Sequence, residues 1–204
     1  MTPKPRRKLT ILRPIGLLLL AAALLLTAYN IWDDGRAAVS SQRILSELDN
    51  MVQEQPTPEP SESQEPEPPQ EMPTVLIDGN ECIGTLDFPT LDLTLPVMSD
   101  WDYDKLKSAP CRYAGTVYQS GFVIAGHNYR KHFGPLNRIQ VGDAVIFTDV
   151  NGNEYSYQVA EMQVLEPTAI KDMLSDNWDL SLFTCTLGGQ TRLTVRCNKI
   201  ETGD

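Results

Sequence analysis

Two hydrophobic patterns divide the chain. Near the N-terminus, an almost continuous apolar run of 18 residues extends from Ile15 to Trp32. At about 1.5 Å per residue, a helix of this length is just long enough to cross a bilayer. From about residue 74 onward, apolar and polar positions alternate over short stretches that are rich in β-branched residues. The pattern therefore predicts an N-terminal transmembrane helix at residues 14–32 and a mostly β domain at residues 74–204.

About eight short strands are predicted in this domain, because apolar stretches recur at short spacing and turn residues separate them. The stretches with this pattern are 82–88, 91–97, 121–126, 143–149, 154–160, 180–184 and 192–196. Asn151-Gly152 is a strong signal for a hairpin turn between two of them. Residues 102–107 and 169–174 are each expected to form a single short helix. Many short strands with few helices are typical of a closed barrel or a sandwich.

Two different segments join the predicted span to the domain. Residues 33–53 place Val39, Ile44 and Leu48 at rough helical spacing, which predicts a helical juxtamembrane stalk. Residues 54–73 contain seven prolines and many Glu, Gln and Ser residues, but no Lys or Arg. Such a composition cannot bury a core and favours extended backbone, so this segment is predicted to be a disordered, Pro/Glu-rich linker.

The charge distribution gives the predicted span a direction. Residues 1–13 carry five basic residues and no acidic residue, whereas Asp33 and Asp34 directly follow the apolar run. Basic residues stay preferentially on the cytoplasmic side of a membrane. We therefore expect a cytoplasmic N-terminal tip and an extracellular domain on a single-pass anchor in the cell membrane. A cleaved signal peptide is the competing interpretation, since the strictly apolar core is only about 14 residues long.

Composition argues against two classes of partner. Beyond residue 13 the chain holds 27 acidic residues against 12 basic residues, so nucleic acid is not expected to bind. The four cysteines match no zinc spacing, and neither a metal nor another cofactor is predicted.

In an exported chain, Cys82 and Cys111 form either a disulfide or two buried thiols. Four cysteines are too few for a disulfide framework, which leaves room for a free reactive thiol.

Cys185 and His127 both stand at the ends of predicted strands. Cys185 ends the stretch 180–184 and opens a Gly-Gly loop, and His127 directly follows the apolar strand that ends at Gly126. A cleft can form where strands end, so we expect the thiol and the imidazole to meet at one rim of the barrel. A thiolate is the reactive form of cysteine, and a neighbouring imidazole is a suitable base for generating it.

The hairpin that follows Cys185 adds a cation. The loop of residues 186–191 is short, so Arg192 is expected to face Cys185 across the mouth of the hairpin. A guanidinium there can donate hydrogen bonds to the oxygen that becomes negative during acyl transfer. Arg196 lies about 13 Å further along the strand and is the weaker candidate. Strand alternation places Cys197 on the opposite face from both arginines.

Three motifs in these regions resemble those of the sortase family. They are the segment Ser181-Leu-Phe-Thr-Cys185, the arginine that follows at Arg192, and Ala125-Gly-His127 at the end of an earlier strand. The stretch 126–143 is also similar, with its Phe, Leu and Gly-Asp spacing. The resemblance covers about residues 84–199 together with the N-terminal anchor, although Ser181 stands where sortases usually have threonine. It leaves the sortase class, and with it the sorting motif, open.

This resemblance implies an eight-stranded sortase-type β-barrel with short helices, and a cysteine transpeptidase of Gram-positive cell surfaces. In such an enzyme Cys185 would be the nucleophile, His127 the acid and base, and Arg192 the oxyanion stabiliser. Thr184 would bind the substrate carbonyl. The substrates would be exported proteins with a sorting motif, and the acceptor would be an amine of a peptidoglycan precursor or a pilin. A cysteine hydrolase on the same scaffold and a non-enzymatic surface binding module remain the alternatives.

Overall fold

The computed structural model of the chain describes residues 8–54 and 71–200. Residues 1–7 of the predicted basic tip and residues 55–70 of the predicted linker lie outside this part, as do residues 201–204. The helices are α1 Lys8–Glu54, α2 Tyr103–Leu106 and α3 Ile170–Met173. The strands are β1 Val75–Ile77, β2 Asn80–Phe88, β3 Leu93–Met98, β4 Cys111–Ala114, β5 Phe122–Ala125, β6 Ala144–Asp149, β7 Glu154–Leu165, β8 Leu180–Cys185 and β9 Arg192–Lys199.

Eight of these strands form a closed barrel. Neighbouring strands follow the order β2-β3-β4-β5-β8-β9-β7-β6, and β6 pairs back onto β2. The remaining strand, β1, pairs with the first residues of β2 in a short hairpin. Two of the pairs, β3 with β4 and β5 with β8, are parallel, and the others are antiparallel. The prediction of a mostly β, eight-stranded barrel with short helices is therefore confirmed.

The barrel interior holds the main hydrophobic core. Inward positions alternate with outward ones along the strands, so nearly every strand contributes side chains to it. Aromatic rings meet edge to face there, with Phe122 and Phe147 at a centroid distance of 5.3 Å and Phe88 and Phe133 at 6.1 Å. Phe133 belongs to the loop that follows β5. The core therefore also anchors the loop that begins at His127.

Helix α1 has an exposed apolar half and a half that packs on the barrel. Pro14–Asn50 contains an 18-residue stretch of mean hydropathy 2.0, none of it buried, which is compatible with a single-pass membrane anchor. Further along, Ala37, Ser41, Ile44 and Leu48 are buried at helical spacing and form one face. The segment predicted as a stalk is therefore helical, and it lies on the barrel rather than standing free.

The packed face of α1 covers a second hydrophobic cluster. In that cluster Ile44 and Leu48 join residues of β1 to β5, namely Ile77, Cys82, Met98, Cys111 and Ala125. At the edge of the contact, Arg43 donates a hydrogen bond to the Asp78 carboxylate at 2.9 Å. Val39, which the sequence pattern groups with Ile44 and Leu48, is 67% exposed and takes no part. The packing of α1 on the barrel therefore rests on Ala37, Ser41, Ile44 and Leu48, and not on Val39.

Candidate active site

Cys185 and Arg192 face each other across the β8–β9 hairpin. Cys185 is the last residue of β8, Arg192 is the first residue of β9, and their Cα atoms are direct partners in the pairing. The connecting loop closes with a hydrogen bond from the Thr186 amide to the Thr191 carbonyl at 3.0 Å. Gly188-Gly189 supplies two positive φ angles, which permit so tight a turn. The short loop thus brings the thiol and the guanidinium to one strand end, as the sequence predicts.

His127 reaches the same edge through a parallel pair of strands. β5 runs parallel to β8, with Ala125 paired to Phe183. The Gly126 amide continues this pairing by donating to the Phe183 carbonyl at 3.1 Å. His127 lies two residues beyond Ala125, and Cys185 lies two residues beyond Phe183. The imidazole therefore leaves its strand level with the thiol.

A cavity of about 220 Å³ lies at this edge, and His127, Cys185 and Arg192 all line it. One wall is aromatic, because Tyr113 packs edge to face between neighbouring rings. The remaining lining residues are Trp101, Tyr103, Leu106, Tyr113, Ala125, Gly126, Pro167, Ile170, Met173, Phe183 and Thr184. The pocket therefore has largely apolar walls and holds all four side chains that the sequence singles out, namely His127, Thr184, Cys185 and Arg192.

Cys185 differs from the other cysteines in its access to solvent. All four cysteines are free, and the other three are buried. Burial raises the pKa of the Cys82 thiol to about 11 and the pKa values of Cys111 and Cys197 to about 12. Cys185 is only partly buried. Of the two alternatives for Cys82 and Cys111, the structure has two buried thiols, and the accessible thiol is the one in the pocket.

Burial and two nearby charges determine the protonation of His127. The imidazole is partly buried, and this burial lowers the pKa of His127 below its usual value. The Asp33 carboxylate on α1 acts in the opposite direction, and the Lys107 ammonium lowers the pKa further. A neutral imidazole that can accept a proton is therefore favoured at neutral pH. Within residues 8–54 and 71–200, no group of three or more His, Cys, Asp or Glu side chains is placed to hold a metal ion.

The sequence also matches a known family. A family model described as a sortase domain matches residues 86–200, which is more than half of the 204 residues. The chain belongs to the sortase family. Membership of this family implies a cysteine transpeptidase that works on sorting-motif substrates at the Gram-positive cell wall.

Solved sortase structures share the fold of this sortase. Sortase C1 from Streptococcus suis is 24% identical, with a TM-score of 0.53 over 60% of this chain and 74% of that chain. Sortase A from Corynebacterium diphtheriae is 24% identical, with a TM-score of 0.55 over 61% and 63%. A sortase D5 transpeptidase from Clostridium perfringens is 21% identical, with a TM-score of 0.54 over 62% and 82%. Identities this low establish the fold alone. A comparison with curated protein sequences gave no significant match.

The Arg192 guanidinium of this sortase has N–H groups that are free to donate hydrogen bonds. Its side chain is partly buried, and its Nη1 donates to the carbonyls of Gly189 and Thr191, both at 3.1 Å. Within the described part of the chain, its Nε and Nη2 have no hydrogen-bond partner. These unused groups can donate to an oxygen atom that enters the pocket.

Arg196 has a different place, since it is fully buried and does not line the pocket. Its guanidinium donates to the Ser181 hydroxyl at 2.8 Å, to the Met173 carbonyl at 3.2 Å, and to the Asp172 carbonyl. Its Nε donates to Gln163 at 3.2 Å. Arg196 therefore joins β9 to β7, β8 and α3. It also holds Met173, a residue of the pocket wall, through a hydrogen bond to its carbonyl.

Thr184 lines the pocket directly before Cys185. Its side chain is buried, and its hydroxyl is among three buried polar groups without a hydrogen-bond partner in the described residues. A buried hydroxyl normally has a partner, because leaving it unpaired costs free energy. The sequence assigns Thr184 to substrate binding, and an unpaired hydroxyl beside the pocket is compatible with that prediction.

Two features of this site were missed from the sequence. The first is the aromatic wall, because nothing in the sequence shows that Trp101, Tyr103 and Tyr113 meet at one pocket. The second is Tyr129, whose ring lies 4.8 Å from the imidazole of His127. The only signal for Tyr129 is its position two residues after His127, which carries no information about a contact.

Proposed function

We propose that this sortase is a membrane-anchored transpeptidase that cleaves a sorting motif in exported proteins and transfers the acyl part to an amine. The observation that carries this proposal is the convergence of Cys185, His127 and Arg192 on one pocket. Cys185 is the nucleophile, His127 is the acid and base, and Arg192 stabilises the oxyanion. The three groups come from different strands, and a packed barrel fixes each strand end.

The first half of the reaction forms a thioester. Neutral His127 first takes the proton of the Cys185 thiol, which leaves a thiolate and an imidazolium. The thiolate attacks the carbonyl carbon of the scissile peptide bond, and the carbonyl oxygen takes the electron pair. The free donors of Arg192 stabilise that oxyanion. When the C–N bond breaks, protonated His127 gives its proton to the leaving amine. The N-terminal part of the substrate is then held as an acyl group on the Cys185 sulfur.

The second half transfers the acyl group. An incoming amine loses a proton to neutral His127 as it attacks the thioester carbonyl. Arg192 again stabilises the oxyanion, and the C–S bond breaks to release the Cys185 thiolate. The net result is one amide bond broken and another formed. In this scheme the Thr184 hydroxyl donates to a substrate carbonyl, and the apolar walls hold substrate side chains.

The setting of the reaction follows from α1. In this proposal residues 14–32 are an uncleaved anchor, the N-terminus is cytoplasmic and the barrel lies outside the cell membrane. The substrates are exported proteins that carry a sorting motif. The acceptor amine belongs to a peptidoglycan precursor or to a pilin. Neither half of the reaction calls for a metal or an organic cofactor.

A peptide cleavage assay on the full chain in lipid nanodiscs tests the proposal. A library of quenched fluorescent peptides is incubated with and without a short amine acceptor, and products are identified by mass spectrometry. We expect cleavage, an amine-dependent ligation product, and no activity from Cys185→Ala. Cleavage without a ligation product would replace the transpeptidase by a hydrolase on the same scaffold. Full activity of Cys185→Ala would reject the chemistry altogether.

A further inference from the structure

Helix α1 holds the loop that carries His127. The Tyr129 hydroxyl donates to Oδ2 of Asp33 at 2.7 Å, and the next amide, that of Arg130, donates to Oδ1 of Asp34 at 2.7 Å. These contacts join residues that are 96 positions apart in the sequence. Asp33 and Asp34 stand directly after the apolar run that ends at Trp32. The two acidic residues that follow the predicted anchor therefore accept hydrogen bonds from Tyr129 and Arg130, just after His127.

Asp33 is held in one orientation and in its charged form. Its Oδ1 pairs with the Arg36 guanidinium at 3.0 Å, while its Oδ2 accepts the hydrogen bond from Tyr129. The hydroxyl of Tyr129 and the guanidinium of Arg36 lower the pKa of Asp33 below its usual value. A carboxylate that uses both oxygens has little freedom to rotate. It therefore fixes the position of the Tyr129 ring.

Tyr129 transmits this constraint to His127. The two rings lie 4.8 Å apart between centroids, at an angle of 42°. Burial and the neighbouring Asp33 raise the pKa of Tyr129 to about 12, so its hydroxyl remains a donor at neutral pH. The ring thus rests against the imidazole on one side while its hydroxyl is tied to α1 on the other. A shift of α1 would move the surface against which His127 packs.

We propose that Asp33 and Tyr129 are positioning residues for His127, and that the anchor helix thereby completes the active site. Tyr129 sets the plane of the imidazole, and the Asp33 charge favours the imidazolium that protonates the leaving amine. The inference rests on the proposed role of His127. It gives the point at which α1 leaves the membrane a role in catalysis, because the Asp33 carboxylate belongs to α1 and not to the barrel.

None of the other charged and titratable groups described around His127 can stabilise its imidazolium form as Asp33 does. Lys107, which follows α2, repels the imidazolium, but it is ion-paired with Asp104 at 2.7 Å. On the loop itself, His132 is buried and neutral. Across the pocket stand Cys185 on β8 and Arg192 on β9. Among the described residues, Asp33 is the carboxylate that raises the pKa of His127.

The test measures His127 itself as well as activity. The chain has only two histidines, so selective labelling gives two sets of imidazole signals in an NMR titration of the full chain in nanodiscs. The variants are Asp33→Asn, Tyr129→Phe and their combination. Asp49→Asn is the matched control, since it makes the same change on the same helix about 24 Å away. The second readout is kcat/KM as a function of pH, and the third is the rate of Cys185 alkylation by iodoacetamide.

In Asp33→Asn we expect the His127 titration to move to lower pH. We also expect kcat/KM to fall about tenfold, which is less than the ~10²-fold loss caused by moving a catalytic group by about 1 Å. Tyr129→Phe should lose about as much, although it leaves the ring in place. The double variant should be no worse than Asp33→Asn alone, because Tyr129 acts only through its contact with the Asp33 carboxylate, which Asp33→Asn already removes. Asp49→Asn should match the unaltered chain.

Two outcomes would overturn the inference. One is an unchanged His127 titration in Asp33→Asn together with kcat/KM within twofold of the unaltered chain. The other is additive losses in the double variant. Should Asp33→Asn fail to fold, Tyr129→Phe decides alone by kcat/KM, because it removes the contact with α1 but leaves the Asp33 charge near His127. Failure of the proposed function would give a different result. In that case the unaltered chain itself would cleave no peptide, and its Cys185 would resist alkylation.

Discussion

The Nε2 atom of His132 lies 2.8 Å from the hydroxyl oxygen of Ser41, so the loop that begins at His127 is tied to α1 a second time. The same nitrogen lies 3.4 Å from the Ala37 carbonyl. The imidazole of His132 is fully buried, and its Nδ1 has no partner among the described residues. Burial lowers the pKa of His132 to about 4. This side chain is therefore a neutral link between helix and barrel.

This link predicts a loss of stability in acid. The unfolded chain protonates His132 near pH 6.5, whereas the folded chain does so only near pH 4. The contribution is complete above about pH 6.5 and is lost as the pH falls from there toward 4, by about 3 kcal/mol in total. We expect the melting temperature of the full chain to fall steadily across this range.

The variant His132→Gln isolates the effect. Its amide can still reach Ser41 but does not titrate, so the melting temperature should be lower at pH 7.5 and nearly constant down to pH 5. His127→Gln is the matched control, and it should keep most of the acid sensitivity of the unaltered chain. An unchanged pH dependence in His132→Gln would show that other groups cause the acid loss.

Local sequence patterns account for the strands and for one half of the site. Alternation marks the strands, and a six-residue loop is enough to place Arg192 opposite Cys185. The other half depends on the parallel pairing of β5 with β8. Their sequence positions are more than 50 residues apart, and no local pattern records such a pairing.

The packing of α1 on the barrel was hidden for a related reason. The buried face of α1 includes Ala37 and Ser41, which add little to a hydrophobic pattern, while the larger Val39 is exposed. The tie between Asp33 and Tyr129 spans 96 residues. Contacts of this kind arise only when the barrel has folded and presents its loop to the helix, so the sequence predicts a stalk without predicting what it touches.

Arg192→Lys should lower activity without unfolding the protein. Lysine keeps the charge but loses the planar set of donors, and removing one oxyanion donor typically costs about 10²-fold in kcat. Among the described residues, the Arg192 side chain hydrogen-bonds only to two loop carbonyls, so the melting temperature should change little. Both quantities are measured on the full chain with the same peptide and amine.

Arg196→Lys is the informative contrast to that variant. Lysine at this buried position cannot reach all of the groups that Arg196 now satisfies, so the free energy of unfolding should fall by about 3 kcal/mol. Activity per folded molecule should fall less than in Arg192→Lys. If Arg196→Lys were instead fully stable and inactive, the assignment of the two arginines would have to be exchanged.

Gly126→Ala should displace His127. A Cβ at this position would lie 2.5 Å from the Phe133 ring, which is fully buried in the core and cannot swing away. The strand end must move instead, at a cost of about 1–3 kcal/mol in stability. Because His127 is the next residue, kcat/KM should fall more than tenfold.

The control for this change is Gly35→Ala on α1, where an added Cβ meets nothing within 4 Å. Alanine favours a helix over glycine by about 1 kcal/mol, so this variant should be as stable as the unaltered chain or more stable, with unchanged turnover. Normal turnover in Gly126→Ala would mean that the loop adapts, and that the position of His127 does not depend on Phe133.

Thr184→Val separates a substrate contact from a structural one. Valine has nearly the shape of threonine but no hydroxyl, and the Thr184 hydroxyl has no partner among the described residues. Removing an unpaired buried hydroxyl gives up no hydrogen bond within this part of the chain, so the melting temperature should stay the same or rise.

If the hydroxyl donates to a substrate carbonyl, KM for the peptide should rise or kcat should fall, together by about threefold to tenfold in kcat/KM. Thr184→Ser, which keeps the hydroxyl, should recover most of that loss. Equal kcat/KM in Thr184→Val and the unaltered chain would remove the hydroxyl from substrate binding and leave Thr184 as a residue of the pocket wall.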